Sequence, residues 1–352
     1  MIIKEYNDKI LPLDHKSMEL SKDRWDNFAK PISSLGKIEN VIIKIAGIQR
    51  SHNIDISKPV VCVMCADNGV VKQGVSQVDS EVTAIVAENM TNNKSVVCIM
   101  ANSIGAKIFV VDIGINKKIS IDGLINKKVM LGTYDMTLES AMSIEKALEA
   151  IKVGVEMAHE FKINGYNLII TGEMGIGNTT TSSAIASVML NEEVENVTGK
   201  GAGLCSAGLI RKIHSIKKAI ELNKPDKSNA LDVLCKVGGL DIAGMVGLYI
   251  GGAIEGIPVM IDGFISGIAA LIAKQLAPNC YEYMLPSHVS AEPAGLVLLN
   301  ALGLEPMITC DMCLGEGTGA VAGFSLIKLG DNVYKSMNNF SEVNITKYVN
   351  FN

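Results

Sequence analysis

Three glycine-rich stretches carry side chains that could bind a phosphate or move a proton. The first is Gly172-Glu-Met-Gly-Ile-Gly-Asn-Thr-Thr180, which follows an apolar run and precedes an Ala/Ser-rich one. Glycine lets the backbone approach a ligand, and free N–H groups at a helix start attract phosphate. Glu173, Gly175, Gly177, Asn178, Thr179 and Thr180 are the candidates here. The spacing nearly matches the triphosphate-binding pattern G-x-x-x-x-G-K-[ST], but Asn178 stands where that pattern has lysine. A single phosphate therefore suits the loop better than a triphosphate. The plain alternative is a tight turn with no ligand.

The second stretch, Gly199-Lys-Gly-Ala-Gly203, precedes a helix-like segment carrying Arg211 and Lys212. Either cation could neutralise a phosphate near Gly201 and Gly203. Taken alone, the pattern favours a solvated helix face. The third stretch is Gly315-Glu-Gly-Thr-Gly319, at an expected strand end. Glu316, flanked by glycines, has room to lie against a flat substrate and accept a proton. It reads equally well as an exposed turn residue. Glu173 supplies a second carboxylate, suited to orienting a substrate or balancing charge.

Such loops need a scaffold. Strand-like apolar runs at residues 60–66, 107–113, 167–171 and 259–262 alternate with helix-like patterns over 82–104, 144–161 and 180–190. That alternation predicts an α/β fold, a mainly parallel sheet flanked by helices. Ligands in such sheets bind beyond the carboxyl ends of the strands. Asp67 and Asn68 follow the first run, and Asp262 ends the last. The first fifty residues read as two helices, with Trp25, Phe28, Ile38, Val41, Ile42 and Ile45 at helical spacing and a break at Pro31 and residues 33–36. Beyond Leu329 the chain turns polar and is expected to wrap the surface.

Composition narrows the partners. A net charge of −5 with dispersed lysines is no footprint for nucleic acid. The mean hydropathy of +0.28 raises the question of a membrane span. The most apolar stretch, residues 242–254, falls short of the roughly 20 residues a span requires, so it reads as a buried helix. The N-terminus has no signal-peptide organisation, and a cytoplasmic location is expected. Cys62/Cys65 and Cys310/Cys313 have metal-binding spacing, but residues 60–66 read as a buried strand, where residues three apart face opposite sides. No metal site is expected.

Together these segments resemble the nicotinate-nucleotide:dimethylbenzimidazole phosphoribosyltransferase family. The resemblance runs in order through KPISSLGKIE (residues 30–39), CADNGVVKQGVS (65–76), GEMGIGNTT (172–180), TGKGAGL (198–204) and VGGLDIAGMVG (237–247). It continues through PVMIDGFIS (258–266), SHVSAEP (287–293), ALGLEP (301–306) and LGEGTGA (314–320). It implies a dimeric enzyme with a Rossmann-like catalytic domain at 59–329. A small helical domain would be built from both chain ends, 1–58 with 330–352. Glu316 would be the general base, taking the ring N–H proton of a benzimidazole as the other nitrogen attacks the ribose of nicotinate mononucleotide. The products would be an α-ribotide and nicotinate, with no cofactor. Phosphate and ribose contacts would fall on residues 173–180, on Gly201–Gly203 and on Lys212, while Asp262 and Ser290 would line the same cleft and Gly315, next to Glu316, would also bind substrate.

Four departures stand out. Asn68 replaces a usual histidine, and Cys205 and Ser206 replace frequent aspartates. Residues 291–295 lack a glycine-histidine pair, and Val78 and Val86 fall where a serine and a glutamine line the base pocket. A pocket without those partners would discriminate less for a nitrogen heterocycle. This leaves open a subunit of a heterodimer that phosphoribosylates phenol or p-cresol. Further alternatives are a non-catalytic nucleotide-binding paralogue, against which Glu173, Lys212 and Glu316 argue, and an NTP-dependent kinase, against which Asn178 argues.

Overall fold

Residues Pro59–Ala66 (β1) are apolar throughout and every one is buried. Strands covered on both faces read this way in parallel sheets. β1 pairs in parallel with β2 (Lys107–Gly114) from Val60↔Lys107, and with β4 (Leu168–Met174) from Pro59↔Leu168. The computed structural model describes residues 2–348. Residue 1 and residues 349–352, the outermost parts of the expected unit 1–58 with 330–352, lie outside the described residues. With β3 (Leu124–Asn126), β5 (Val259–Met260) and β6 (Met284–Leu285), the sheet has the order β3-β2-β1-β4-β5-β6. All its pairings are parallel. The direction of winding reverses between β1 and β4, and a crevice opens beyond their carboxyl ends, as in dinucleotide-binding folds.

The apolar stretch is a helix, Leu240–Ile254, against helix Ile144–Ile163. A Cβ on Gly154 would sit 2.0 Å from the Gly244 carbonyl oxygen, and one on Gly247 would sit 2.0 Å from that of Ile151. Only glycine permits this approach. Among the described residues no helix is long and apolar enough to cross a membrane.

Several elements differ from expectation. The pattern over 82–104 is two helices, Glu81–Thr91 and Val96–Ile104, because Ser95 caps the second through the Cys98 N–H. The first fifty residues hold three helices, Ile2–Lys9, His15–Asn27 and Lys37–Gln49. The expected surface tail after Leu329 instead begins as helix: Thr318–Ser336 continues to Ser336 with Asp331 and Tyr334 buried. Tyr334 packs on Trp25 and Phe28, with ring centroids 5.2 and 6.2 Å away. Buried residues of the chain-end helices and of the sheet belong to one hydrophobic cluster.

Candidate active site

β4 delivers the first glycine loop to the crevice. A Cβ on Gly175 would lie 2.3 Å from the Ala66 carbonyl oxygen, so the loop presses against the end of β1. Gly177 adopts a left-handed φ of 93° and opens helix Asn178–Leu190, which has no side-chain cap. The Asn178 and Thr180 N–H groups turn back to the Gly175 and Gly177 carbonyls (3.1 and 2.9 Å), and with no side-chain cap the rest of the first turn suits an outside anion. Lys212, on helix Ser206–Asn223, lies fully buried beneath this turn. Its Nζ donates to Thr179 Oγ1 (2.8 Å) and to the Gly199 carbonyl (3.0 Å). The solvated face that the pattern alone favoured is therefore corrected: Lys212 is interior, and only Arg211 is exposed, donating to the Gly74 carbonyl. Burial lowers the Lys212 pKa to about 8, and the nearby Glu292 opposes that shift.

The loop bearing Glu316 is not a strand end. Residues 309–317 form no strand; the chain enters the segment from the bridge His288↔Ile308, and the Met312 carbonyl accepts from the Ala291 N–H (3.0 Å). Gly315, Glu316 and Gly317 have successive φ values of 85°, 62° and 98°. A left-handed glutamate costs about 1–2 kcal/mol, and such strain concentrates at functional sites. Asp262 holds the loop in place. Its Oδ2 accepts from the Gly317 N–H (3.2 Å) and its Oδ1 from the Ala320 N–H (2.9 Å), capping helix Thr318–Ser336 from another element. Glu316 is half-buried and its Oε2 has no partner. Burial raises its pKa, opposed by the Val97 N–H and reinforced by Asp262.

Beneath both loops lies a buried acidic floor. Asn178 Nδ2 donates to Glu173 Oε2 and to Asp241 Oδ2 (2.9 Å), and Glu173 Oε1 accepts from the Glu316 N–H (3.4 Å). Desolvation, and then the charge of Asp241, push Glu173 up to about 8. Desolvation pushes Asp241 up to about 7.

A cavity of about 270 Å³ joins these parts. Its wall includes Glu173, Gly175, Gly177, Asn178, Thr179, Gly201, Asp262, Ser290, Gly315, Glu316 and Val86. Four expected residues lie outside the wall. Thr180 and Lys212 are buried behind it, Val78 is 39% exposed, and Gly203 ties two rims together by accepting from Gln77 Nε2. Ser76 and Gln77, from the same segment as Val78 and Val86, also reach the wall. The apolar part comes from Val75, Val86, Leu204, Phe264 and Leu314, enough for a flat ring.

Sequence reasoning missed His288, Glu292 and Asp241 as site residues. His288 lines the cavity behind Gly319, where an added Cβ would meet its ring at 1.9 Å. Burial lowers its pKa, opposed by Asp262. Its signal was available, as a lone histidine inside the 287–293 motif. Asp241 had one too, as an acid opening an apolar helix. Cys313 lines the cavity, and Cys310 and Cys313 are exposed, whereas Cys62 and Cys65 are buried in β1. Among the described residues no cluster of three or more His, Cys, Asp or Glu is arranged to hold a metal ion.

Comparison with known proteins places this geometry. A phosphoribosyltransferase family model matches residues 10–345. The chain is 42% identical over 348 residues to the nicotinate-nucleotide–dimethylbenzimidazole phosphoribosyltransferase of Ruminiclostridium cellulolyticum, covering 99% of each chain. It is 43% identical to the protein of the same name from Acetivibrio thermocellus, covering 94% of each. Among solved structures it is similar to that of Thermus thermophilus CobT, with a TM-score of 0.89 and 32% identity over 95% of this chain and 100% of the other. A second structure from that organism, titled as the same transferase, gives a TM-score of 0.88 at 31% identity over 96% and 100%.

Proposed function

Since the chain belongs to the nicotinate-nucleotide–dimethylbenzimidazole phosphoribosyltransferase family, we propose that it moves the 5-phosphoribosyl group of nicotinate mononucleotide to 5,6-dimethylbenzimidazole or a similar lower-ligand base. The observation that carries this reading is the Glu316 carboxylate, with an unpartnered Oε2, in the wall of a cavity that an uncapped helix start also lines.

The chemistry follows from that arrangement. The nucleotide phosphate sits at the first turn of helix Asn178–Leu190, over the buried ammonium of Lys212. A cation buried without a carboxylate in its hydrogen bonds is stabilised by an arriving anion. The acceptor ring lies in the apolar part of the cavity, between Val86 and Leu314. One ring nitrogen attacks the anomeric carbon while the bond to the pyridinium nitrogen breaks. Attack from the face opposite the leaving nicotinate converts the β linkage to α. The other ring nitrogen gives its proton to Glu316. Burial raises the basicity of Glu316, which brings its pKa nearer the working pH and favours proton transfer. The pyridinium is already an activated leaving group, so positioning supplies most of the remaining catalysis.

The domain division at 59–329 and the working dimer belong to this proposal. The aromatic contact of Tyr334 with Trp25 and Phe28 supports a chain-end unit, although helix Thr318–Ser336 runs across residue 330. Exposed Val96 and Ile99 beside the site support a partner surface. A cytoplasmic setting fits the unpaired state of all eight cysteines.

The test offers purified protein nicotinate mononucleotide with 5,6-dimethylbenzimidazole, adenine, phenol or p-cresol separately, following products by chromatography and mass spectrometry. An α-ribotide of dimethylbenzimidazole, absent with Glu316→Gln, is expected. Product from the phenols alone would transfer the assignment to the oxygen-linked alternative, and no product from any acceptor would remove catalysis by this chain alone.

A further inference from the structure

Asp241 is fully buried in an otherwise apolar helix and has one oxygen to spare. Its Oδ2 accepts from Asn178 Nδ2, but its Oδ1 has no partner. The Asn68 Oδ1 is also without a partner. Both oxygens converge beside Gly239, 2.5 and 2.6 Å from where a Cβ on that residue would sit. The Asn68 amide is oriented by its Nδ2, which donates to the Ile176 carbonyl (3.4 Å). Reversing it would set two carbonyl oxygens against each other. An ionised Asp241 would therefore aim a lone pair at another acceptor in a dry interior, a costly arrangement. A proton on Oδ1 turns the same approach into a hydrogen bond.

We infer that Asp241 is a neutral carboxylic acid that donates from Oδ1 to Asn68 Oδ1 and, by holding Asn178, positions Glu173 beneath the Glu316 loop. The titratable groups facing Asp241 are acids, Glu173 at the end of β4 and Cys65 and Asp67 at the end of β1, while the Ile242 and Asp241 N–H groups at the helix start act in the opposite sense and favour its charge. Asp67 is itself occupied by Thr83 Oγ1 (2.6 Å) and the Asn116 N–H (2.7 Å). Lys128, the cation that acts on Asp67, is committed to Asp112 at 2.8 Å. Burial raises Glu173 as it raises Asp241, yet the contacts of Glu173 are donors, Asn178 Nδ2 and the Glu316 N–H. Asp241 has the unpartnered Asn68 oxygen beside its own free Oδ1, and the hydrogen-bond partners of Glu173 include no such acceptor, so geometry favours the proton on Asp241. Asp241 is thus a positioning residue, acting through Asn178 and Glu173.

The positioning role rests on the transferase reading of the site, and the protonation does not. Infrared spectra of the wild type and Asp241→Asn at about pH 6, where ordinary carboxyls are ionised, read the proton directly. A protonated-carboxyl C=O band is expected in the wild type, absent from the variant and lost from the wild type as pH rises. Identical spectra would overturn the inference. In turnover, Asp241→Ala should lower kcat about tenfold or more, while Asp241→Asn, isosteric with the neutral acid, recovers most of it and flattens the alkaline limb of kcat/KM. An Asn variant as impaired as the Ala variant would also overturn it. Should Ala fail to fold, the two spectra decide. A band without any transferase product would leave this inference standing and sink the transferase reading, and product without the band would do the reverse.

Discussion

The two glycine loops of the site are built alike and left in opposite states. Each places a glutamate shortly before a left-handed glycine that opens a helix, Gly177 before Asn178–Leu190 and Gly317 before Thr318–Ser336. The second helix start is filled by the protein's own anion, Asp262. The first is left open to the cavity, with Lys212 buried behind it. The glutamates are reversed in the same sense. Glu173, beside the open helix, is buried with both oxygens accepting hydrogen bonds. Glu316, beside the filled one, keeps an oxygen free. Where the protein supplies its own anion the carboxylate is free to react, and where it awaits a substrate anion the carboxylate is structural.

Exchanging the glutamates for their amides should break that symmetry most visibly. Glu316→Gln is expected to lower kcat by about 10²–10⁴-fold, the usual worth of a general base. Glu173→Gln keeps a hydrogen-bonding side chain and should cost only about tenfold, and steady-state kinetics on both variants checks the ratio. Equal losses would mean that the two loops share the proton transfer. Next in size, Lys212→Met removes the cation behind the open helix. The KM for the nucleotide should rise about ten- to a hundredfold, the worth of a charged hydrogen bond, with kcat changed less.

A smaller effect belongs to the filled helix. Asp262→Asn weakens a charged cap worth about 1 kcal/mol, so denaturant unfolding should show a loss of that order. The same substitution at a residue that only touched substrate would leave stability unchanged. The smallest effect is the slope of stability with pH. Asp241, the protonated member of the buried pair it forms with Glu173, has a folded pKa raised from 3.8 to about 7. The folded state therefore holds a proton that the unfolded chain has released, and stability falls as pH rises through that window. Thermal melts from about pH 5 to pH 8 should show this decline, and Asp241→Asn should make it shallower.

Much of this arrangement was legible in the chain. The apolar runs of β1, β2 and β4 are long enough to declare themselves, and the glycine spacing marked both loops. Of the two short strands, β5 lies inside the 259–262 run at Val259–Met260, whereas β6, Met284–Leu285, has no alternation to read. The interruption at residues 92–95 did carry a signal, the polar Asn-Asn-Lys-Ser stretch with Asn93 left-handed at φ 57° and Ser95 as the next cap, but the apolar residues on either side let the two helices read as one. The partners of Asp262, Asn178 and Asp241 were out of reach for a different reason. Each bond joins elements far apart in sequence, and the spacing of one segment says nothing about which other segment the topology brings beside it.

The central claim is that Glu316 acts on the proton and not on nucleotide binding. Calorimetric titration of nicotinate mononucleotide, with single-turnover reaction of dimethylbenzimidazole on the same samples, separates the two. The account predicts that Glu316→Gln binds the nucleotide as the wild type does and forms product at least about a hundredfold more slowly. A variant that turns over at the wild-type rate, or one slowed only because it no longer binds the nucleotide, would contradict it.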